Sequence, residues 1–137
     1  MTTERPGFLE DKLDPGDVVL GENRYVLASI PYEETTTYGK GVGLAPEAII
    51  EASGHVELFD EVLEVDASRH GVLTVRPPIT SLASITRAAR SLREQHPKSF
   101  LGFIGGEHSV TPALLAALAK PGMGIVWIDA HADLRAE

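Results

Sequence analysis

Phe100-Leu101-Gly102-Phe103-Ile104, closed by Gly105-Gly106-Glu107-His108-Ser109, is the stretch that decides the fold. It is an apolar run of strand length that ends on two glycines and leads into a helical pattern from Val110 to Ala119. Ser109 is placed to cap that helix, Pro112 lies in its first turn and Gly122 follows its end. A second apolar run, Gly124 to Ile128, then ends in Asp129-Ala130-His131-Ala132-Asp133. Runs apolar on both faces, joined through a helix, predict strands of a parallel sheet covered by helices, an α/β fold.

Working back toward the N-terminus, the same alternation recurs. Leu82, Ile85, Ala89 and Leu92 fall at helical spacing behind Ser81, a good N-cap, and Pro97 follows the helix end near Gln95. Gly71 to Val75 and, more weakly, Val56 to Val65 read as strands. Pro46 sits where a first helical turn tolerates it, so residues 47–53 read as a short helix stopped at Gly54. Glu33 to Leu44 is a loop dense in Thr and Gly, and Tyr25 to Ile30 is a buried strand ended by Pro31. Residues 1–22, rich in Pro, Gly and acids, form an irregular lead-in to what is expected to be a single partial domain over 1–137.

Composition narrows the function classes. The chain has 137 residues, 43% hydrophobic and 23% charged, as in ordinary globular domains. Its net charge of −8 argues against nucleic acid or an anionic membrane as a partner and is compatible with a cationic ligand. No apolar run approaches the roughly 20 residues of a membrane span, and the N-terminus lacks a signal-peptide pattern, so a cytoplasmic location is expected. The absence of cysteine excludes disulfides and thiolate metal sites. Any metal would be held by His, Asp and Glu, a set suited to Mn, Fe, Zn or Mg.

Topology gives the two motifs a common place. Ligands of open parallel sheets sit beyond the carboxyl ends of the strands, where both motifs lie. A right-handed crossover through helix 110–119 would set strands 100–104 and 124–128 side by side or nearly so, with His108 and Asp129 facing one crevice. In a strict strand, side chains two apart are separated by roughly 6.6 Å, too far for one ion. Curvature beyond the strand would let Asp129, His131 and Asp133 wrap a metal pair, whose ions sit about 3.5–4 Å apart in two-metal enzymes. His108 beside a helix N-terminus is biased toward the neutral imidazole that binds metal.

Blander readings stand beside these. Asp-x-His-x-Asp alone suits a solvated loop, and a His after two glycines suits a cap or the surface. Two such motifs ending consecutive buried strands are poorly explained that way. His55, His70 and His96 have no such setting and are assigned to the surface. Glu107 either orients His108 or caps the turn, and the sequence leaves both open. Trp127, inside an apolar run, is assigned to the core.

At these residues the chain resembles the ureohydrolases, the arginases and agmatinases. That family carries Gly-Gly-(Asp/Glu)-His-Ser and Asp-Ala-His-x-Asp, matched by residues 105–109 and 129–133. Thr35-Thr36-Thr37-Tyr38-Gly39-Lys40-Gly41 and Ala45-Pro46-Glu47-Ala48-Ile49 are similar to the N-terminal pattern of the agmatinase branch. The likeness runs from about residue 24 to the C-terminus. It implies a three-layer α/β/α fold with a mainly parallel sheet, and two Mn2+ ions per complete site. His108 would bind one ion and His131 the other, Asp129 would bridge them, and Asp133 would join His108. The implied reaction is hydrolysis of the guanidinium group of agmatine to putrescine and urea, on a small cationic substrate, in a cytoplasmic homo-oligomer.

The resemblance covers only the N-terminal half of the family's domain. Family members carry a later Asp-x-Asp motif and a later His that this chain lacks. The expectation is therefore that catalysis needs the C-terminal half and that these 137 residues alone are inactive. Two alternatives are carried: a non-catalytic metal-binding or oligomerisation domain, and a ureohydrolase acting on guanidinobutyrate, arginine or formiminoglutamate.

Overall fold

The computed structural model describes residues 5–9, 25–66, 71–131 and 133. Strand β1 (Tyr25–Ile30) is central, flanked by β4 (Val72–Val75) and β5 (Phe100–Gly105) in the order β4-β1-β5. Both pairings are parallel. β1 runs in register with β5 along its whole length, from Tyr25 opposite Phe100 to Ile30 opposite Gly105. The expected parallel sheet is thus present, and a central position explains why β1 is apolar on nearly every residue, Ser29 excepted. Much of the lead-in segment 1–22, and His70, lie outside the described residues.

Side chains of β1 alternate between two layers. Val26, Ala28 and Ile30 are buried in a core with Ile85 and Leu92 of α2 (Leu82–Gln95) and Val110 and Ala113 of α3 (Val110–Leu118). On the opposite face Ser29 donates from Oγ to Glu47 Oε1 at 2.8 Å, docking α1 (Ala45–Ala52). Helices cover both faces, as in a three-layer α/β/α arrangement. Glu47 also pairs with Arg76, just beyond β4, at 3.2 Å. That link ties α1 to the sheet edge.

Local signals explain most element ends. Ser81 accepts from Ser84 N at 3.2 Å, and Ser84 Oγ accepts from Ser81 N at 3.0 Å, a reciprocal capping box that starts α2. Pro46 lies in the first turn of α1. That helix tightens into a 3-10 turn at Ser53–His55 and so passes the expected stop at Gly54.

The structure corrects three expectations. Residues 56–65 form no single strand: β2 (Phe59–Asp60) and β3 (Val65–Asp66) pair as a short antiparallel ribbon. Asp60 Oδ1 accepts from Val62 N and Leu63 N, which closes a tight turn where a strand would have run on. Residues 124–128 form no strand beside β5. An extended segment needs a ladder partner for its N–H and C=O groups, and none pairs with it among the described residues. Trp127 is accordingly not core but 40% exposed, and Ile128 is 95% exposed. The third correction concerns Ser109, which makes no side-chain cap to α3. Its hydroxyl is turned to Glu107 instead.

Close approach makes one glycine indispensable. Beyond the paired strands, Gly106 N donates to Ile30 O at 3.0 Å and Glu107 N to Tyr32 O at 2.9 Å. A Cβ on Gly106 would lie 2.2 Å from Tyr32 O, a backbone atom that cannot swing aside. Gly106→Ala is expected to destabilise the fold by about 1–3 kcal/mol, the usual cost of overpacking. Urea denaturation would show this as a lowered midpoint at unchanged slope. An unchanged midpoint would contradict the close approach.

Candidate metal centre

The turn after β5 carries the candidate site. The two ladder-like bonds from Gly106 and Glu107 pin this turn to the chain leaving β1. The next residue, His108, stands at the start of α3 with its side chain half exposed. His108 Nδ1 lies 3.1 Å from Asp133 Oδ2 and 3.7 Å from Asp129 Oδ2. One ligand atom from each of His108, Asp129 and Asp133 lies within 4.8 Å of the other two, a group able to hold a metal ion.

The chain bends sharply to achieve this. Asp129 Oδ1 accepts from His131 N at 2.9 Å, which turns the backbone just past residue 128. Asp133 adopts φ of 49°, the left-handed region uncommon for residues other than glycine. The curvature expected from the spacing is therefore present, although the preceding strand is not. His131 is not part of the three-residue group. Its Nδ1 lies 3.6 Å from Asp129 Oδ1, on the other oxygen of the carboxylate that faces His108, and its side chain is 83% exposed. Asp129 thus stands between the two imidazoles.

Electrostatics follow the contacts. The backbone N–H of His131 holds the Asp129 carboxyl below its ordinary range, assisted by the neighbouring His108 and His131 side chains. Trp127 stacks on His108 with ring centroids 5.0 Å apart and planes at 20°. The indole covers one face of the imidazole and restricts its rotation. Of the other histidines, His55 is exposed and His96 is half-buried at the end of α2.

Glu107 does something the sequence did not disclose. Its side chain is buried at 6% exposure and accepts four hydrogen bonds. Oε2 takes the N–H groups of Glu34 at 2.8 Å and Thr35 at 2.7 Å, while Oε1 takes the hydroxyls of Thr35 at 2.7 Å and of Ser109. The Ser109 hydroxyl contributes most to depressing the carboxyl, which falls to about 2 from an ordinary 4.5. Through these bonds it fastens the Thr-rich loop to the His108 turn. The only hint in the sequence was a Thr-dense loop, and no local pattern pairs it with a carboxylate 72 residues away.

An open cleft of about 500 Å³ lies between that loop and the turn, lined by Thr35 to Lys40 and by Gly106 to Ser109. The loop's far side is shaped by Glu33, whose carboxylate accepts from Gly41 N at 2.9 Å and Gly43 N at 2.8 Å.

With this geometry in place, comparison with known proteins identifies the lineage. The family model described as "Arginase family" matches residues 23–137. The chain belongs to the arginase family. It is 32% identical to N(1)-aminopropylagmatine ureohydrolase of Synechocystis sp. over 80% of this chain and 40% of the relative. It is 28% identical to agmatinase of Pyrococcus horikoshii, over 81% of the chain and 41% of the relative. Proclavaminate amidinohydrolase of Streptomyces clavuligerus is 29% identical over 79% of the chain and 37% of the relative. The chain thus spans about two fifths of the length of these curated relatives. No solved structure matches it significantly. Among the described residues no helix is long and apolar enough to cross a membrane.

The Glu33 cradle predicts a pH dependence. The Gly43 and Gly41 N–H groups lower its carboxyl below the ordinary 4.5. The folded loop therefore binds that proton less tightly than the unfolded chain does. The stability contributed is complete above the unfolded value and is lost as pH falls through the lower folded value. Hydrogen exchange at Gly41 and Gly43, corrected for intrinsic rates, is expected to accelerate as pH falls below that of an ordinary carboxyl. Glu33→Gln should abolish this acceleration. Its persistence in the variant would assign it to another group.

Proposed function

We propose that the protein carrying this chain hydrolyses the terminal guanidinium group of a linear amidine, with agmatine the leading substrate, in a manganese-dependent reaction. Water adds at the guanidinium carbon, the bond from that carbon to the alkyl nitrogen breaks, and urea and an amine leave, putrescine in the case of agmatine. The observation that carries this reading is the convergence of His108, Asp129 and Asp133 beside His131, in a chain of the arginase family.

The donor chemistry fits a pair of divalent ions. There are two imidazoles and two carboxylates, no thiolate, and one carboxylate with an imidazole near each oxygen. In this reading His108, Asp129 and Asp133, with His131 beside them, are the residues that would hold the ions. When bound, such ions supply Lewis acidity and a water acidified toward neutral pH.

The remaining work belongs to this chain's own residues. The acidic charge of the whole chain is in line with a cationic substrate. Trp127 keeps the His108 ring oriented by stacking. The loop clamped by Glu107 faces the same space and is positioned to meet the rest of the substrate.

Relatives named N(1)-aminopropylagmatine ureohydrolase make a longer amine tail the second candidate. A panel of agmatine, N(1)-aminopropylagmatine, guanidinobutyrate and arginine, assayed for urea release by the full-length protein with Mn2+, decides among these. Asp129→Asn is expected to lower kcat/KM by roughly 100-fold or more and to weaken Mn2+ binding, since even residues that only support metal ligands cost 10–100-fold. Full activity in that variant, or in wild type exhaustively freed of metal, would sink the proposal.

A further inference from the structure

We propose that Glu107 is a positioning residue that makes the Thr35–Lys40 loop a fixed, substrate-contacting wall of the cleft. The inference rests on the hydrolase reading for what the cleft binds, and on this structure alone for the clamp.

The loop's composition is wrong for holding itself in place. Thr35, Thr36, Thr37, Tyr38, Gly39 and Lys40 include no buried apolar anchor, and Tyr38 is 99% exposed. Order at its start comes from one carboxylate, which takes two backbone N–H groups and a hydroxyl from residues 34 and 35. The same carboxylate takes the hydroxyl of Ser109, on the far side of His108. One side chain therefore fixes both walls of the cleft relative to each other. Several charge-assisted bonds on a buried carboxylate form a stiff joint.

The wall it holds is polar in a defined way. It presents Thr hydroxyls and the Tyr38 phenol, and Lys40 Nζ is drawn onto Thr36 Oγ1 at 3.1 Å. Such a surface is suited to hydrogen-bonding the polar end of a guanidino compound whose guanidinium group lies toward His108 and Asp129. Discrimination between tails of different length or charge would then depend on the clamp, because a loop free to shift adapts to any of them.

Substitution separates the clamp from a charge-based role. In Glu107→Gln the amide oxygen can face the two backbone N–H groups while its NH2 donates to the two hydroxyls, which are able to accept. Glu107→Ala leaves all four partners without an acceptor. Glu107→Ala is expected to speed hydrogen exchange at the amides of Glu34 and Thr35 by about tenfold or more, with β1 amides unchanged. In the full-length protein it should raise KM for the preferred substrate by about tenfold with a smaller effect on kcat, the pattern of lost binding. Discrimination across the four-substrate panel should narrow. Glu107→Gln should recover most of each effect.

A Gln variant as impaired as Ala would overturn the clamp in favour of a role for the charge itself. Fast exchange with an unaltered KM would keep the clamp but overturn the substrate-contacting half of the proposal, since it would show that the loop does not touch substrate. Should Glu107→Ala not fold, the Thr35→Val/Ser109→Ala double variant removes both donors to Oε1 and should move exchange and KM in the same direction by less. Unaltered exchange and KM in that variant would count against the proposal. Absence of urea release from wild type would refute the hydrolase reading on its own and, with it, the substrate-contacting half of the inference. The exchange measurements would still decide the clamp.

Discussion

The parallel pairing of β1 with β5 is the constraint on which the rest of the described structure depends. It runs without a break from Tyr25 opposite Phe100 to Ile30 opposite Gly105. Two further backbone bonds, from Gly106 to Ile30 and from Glu107 to Tyr32, continue the pairing past the strands. A turn held this way cannot drift relative to β1, so His108 is delivered to a defined point at the carboxyl end of the sheet. The contact is possible only because Gly106 has no Cβ to strike the Tyr32 carbonyl.

Polar chemistry at this end of the sheet is layered. Close to the sheet is Glu107, buried and fully hydrogen-bonded, joining chain segments that are distant in sequence. Farther out stand His108, Asp129 and Asp133, each partly exposed and close enough to share an ion. Rigid support beneath an accessible cluster suits a site whose ligands must be held in place yet reached by solutes. The deep carboxylate is committed to structure and the outer ones are left to bind.

The residues after α3 behave differently from the rest. Gly124 to Ile128 is as apolar as β1, yet it is exposed and unpaired among the described residues. Apolarity marks what a segment would bury, and only a neighbouring edge turns it into a strand. Asp129 and Asp133 nonetheless reach His108, because their position is set by the Asp129–His131 turn and the left-handed Asp133 and not by a sheet. The expected contact therefore arises by a route other than the expected strand pairing.

The sequence by itself determined the α/β class, the buried strand β1 and the partly buried strand β5, the capped helix α2, and the candidate residues His108, Asp129, His131 and Asp133. Each rests on a local pattern: an apolar run, a helical spacing, a Ser before a helix, or metal-binding residue types bunched at a strand end. The family also follows from short motifs that the chain carries whole. Only the tertiary structure decided what Glu107 and Ser109 do, where Trp127 lies, and that His131 stands apart from the other three. A carboxylate's partners 72 residues away leave no periodicity to read. Whether an apolar segment is buried depends on what packs beside it, and that is a property of the fold, not of the segment.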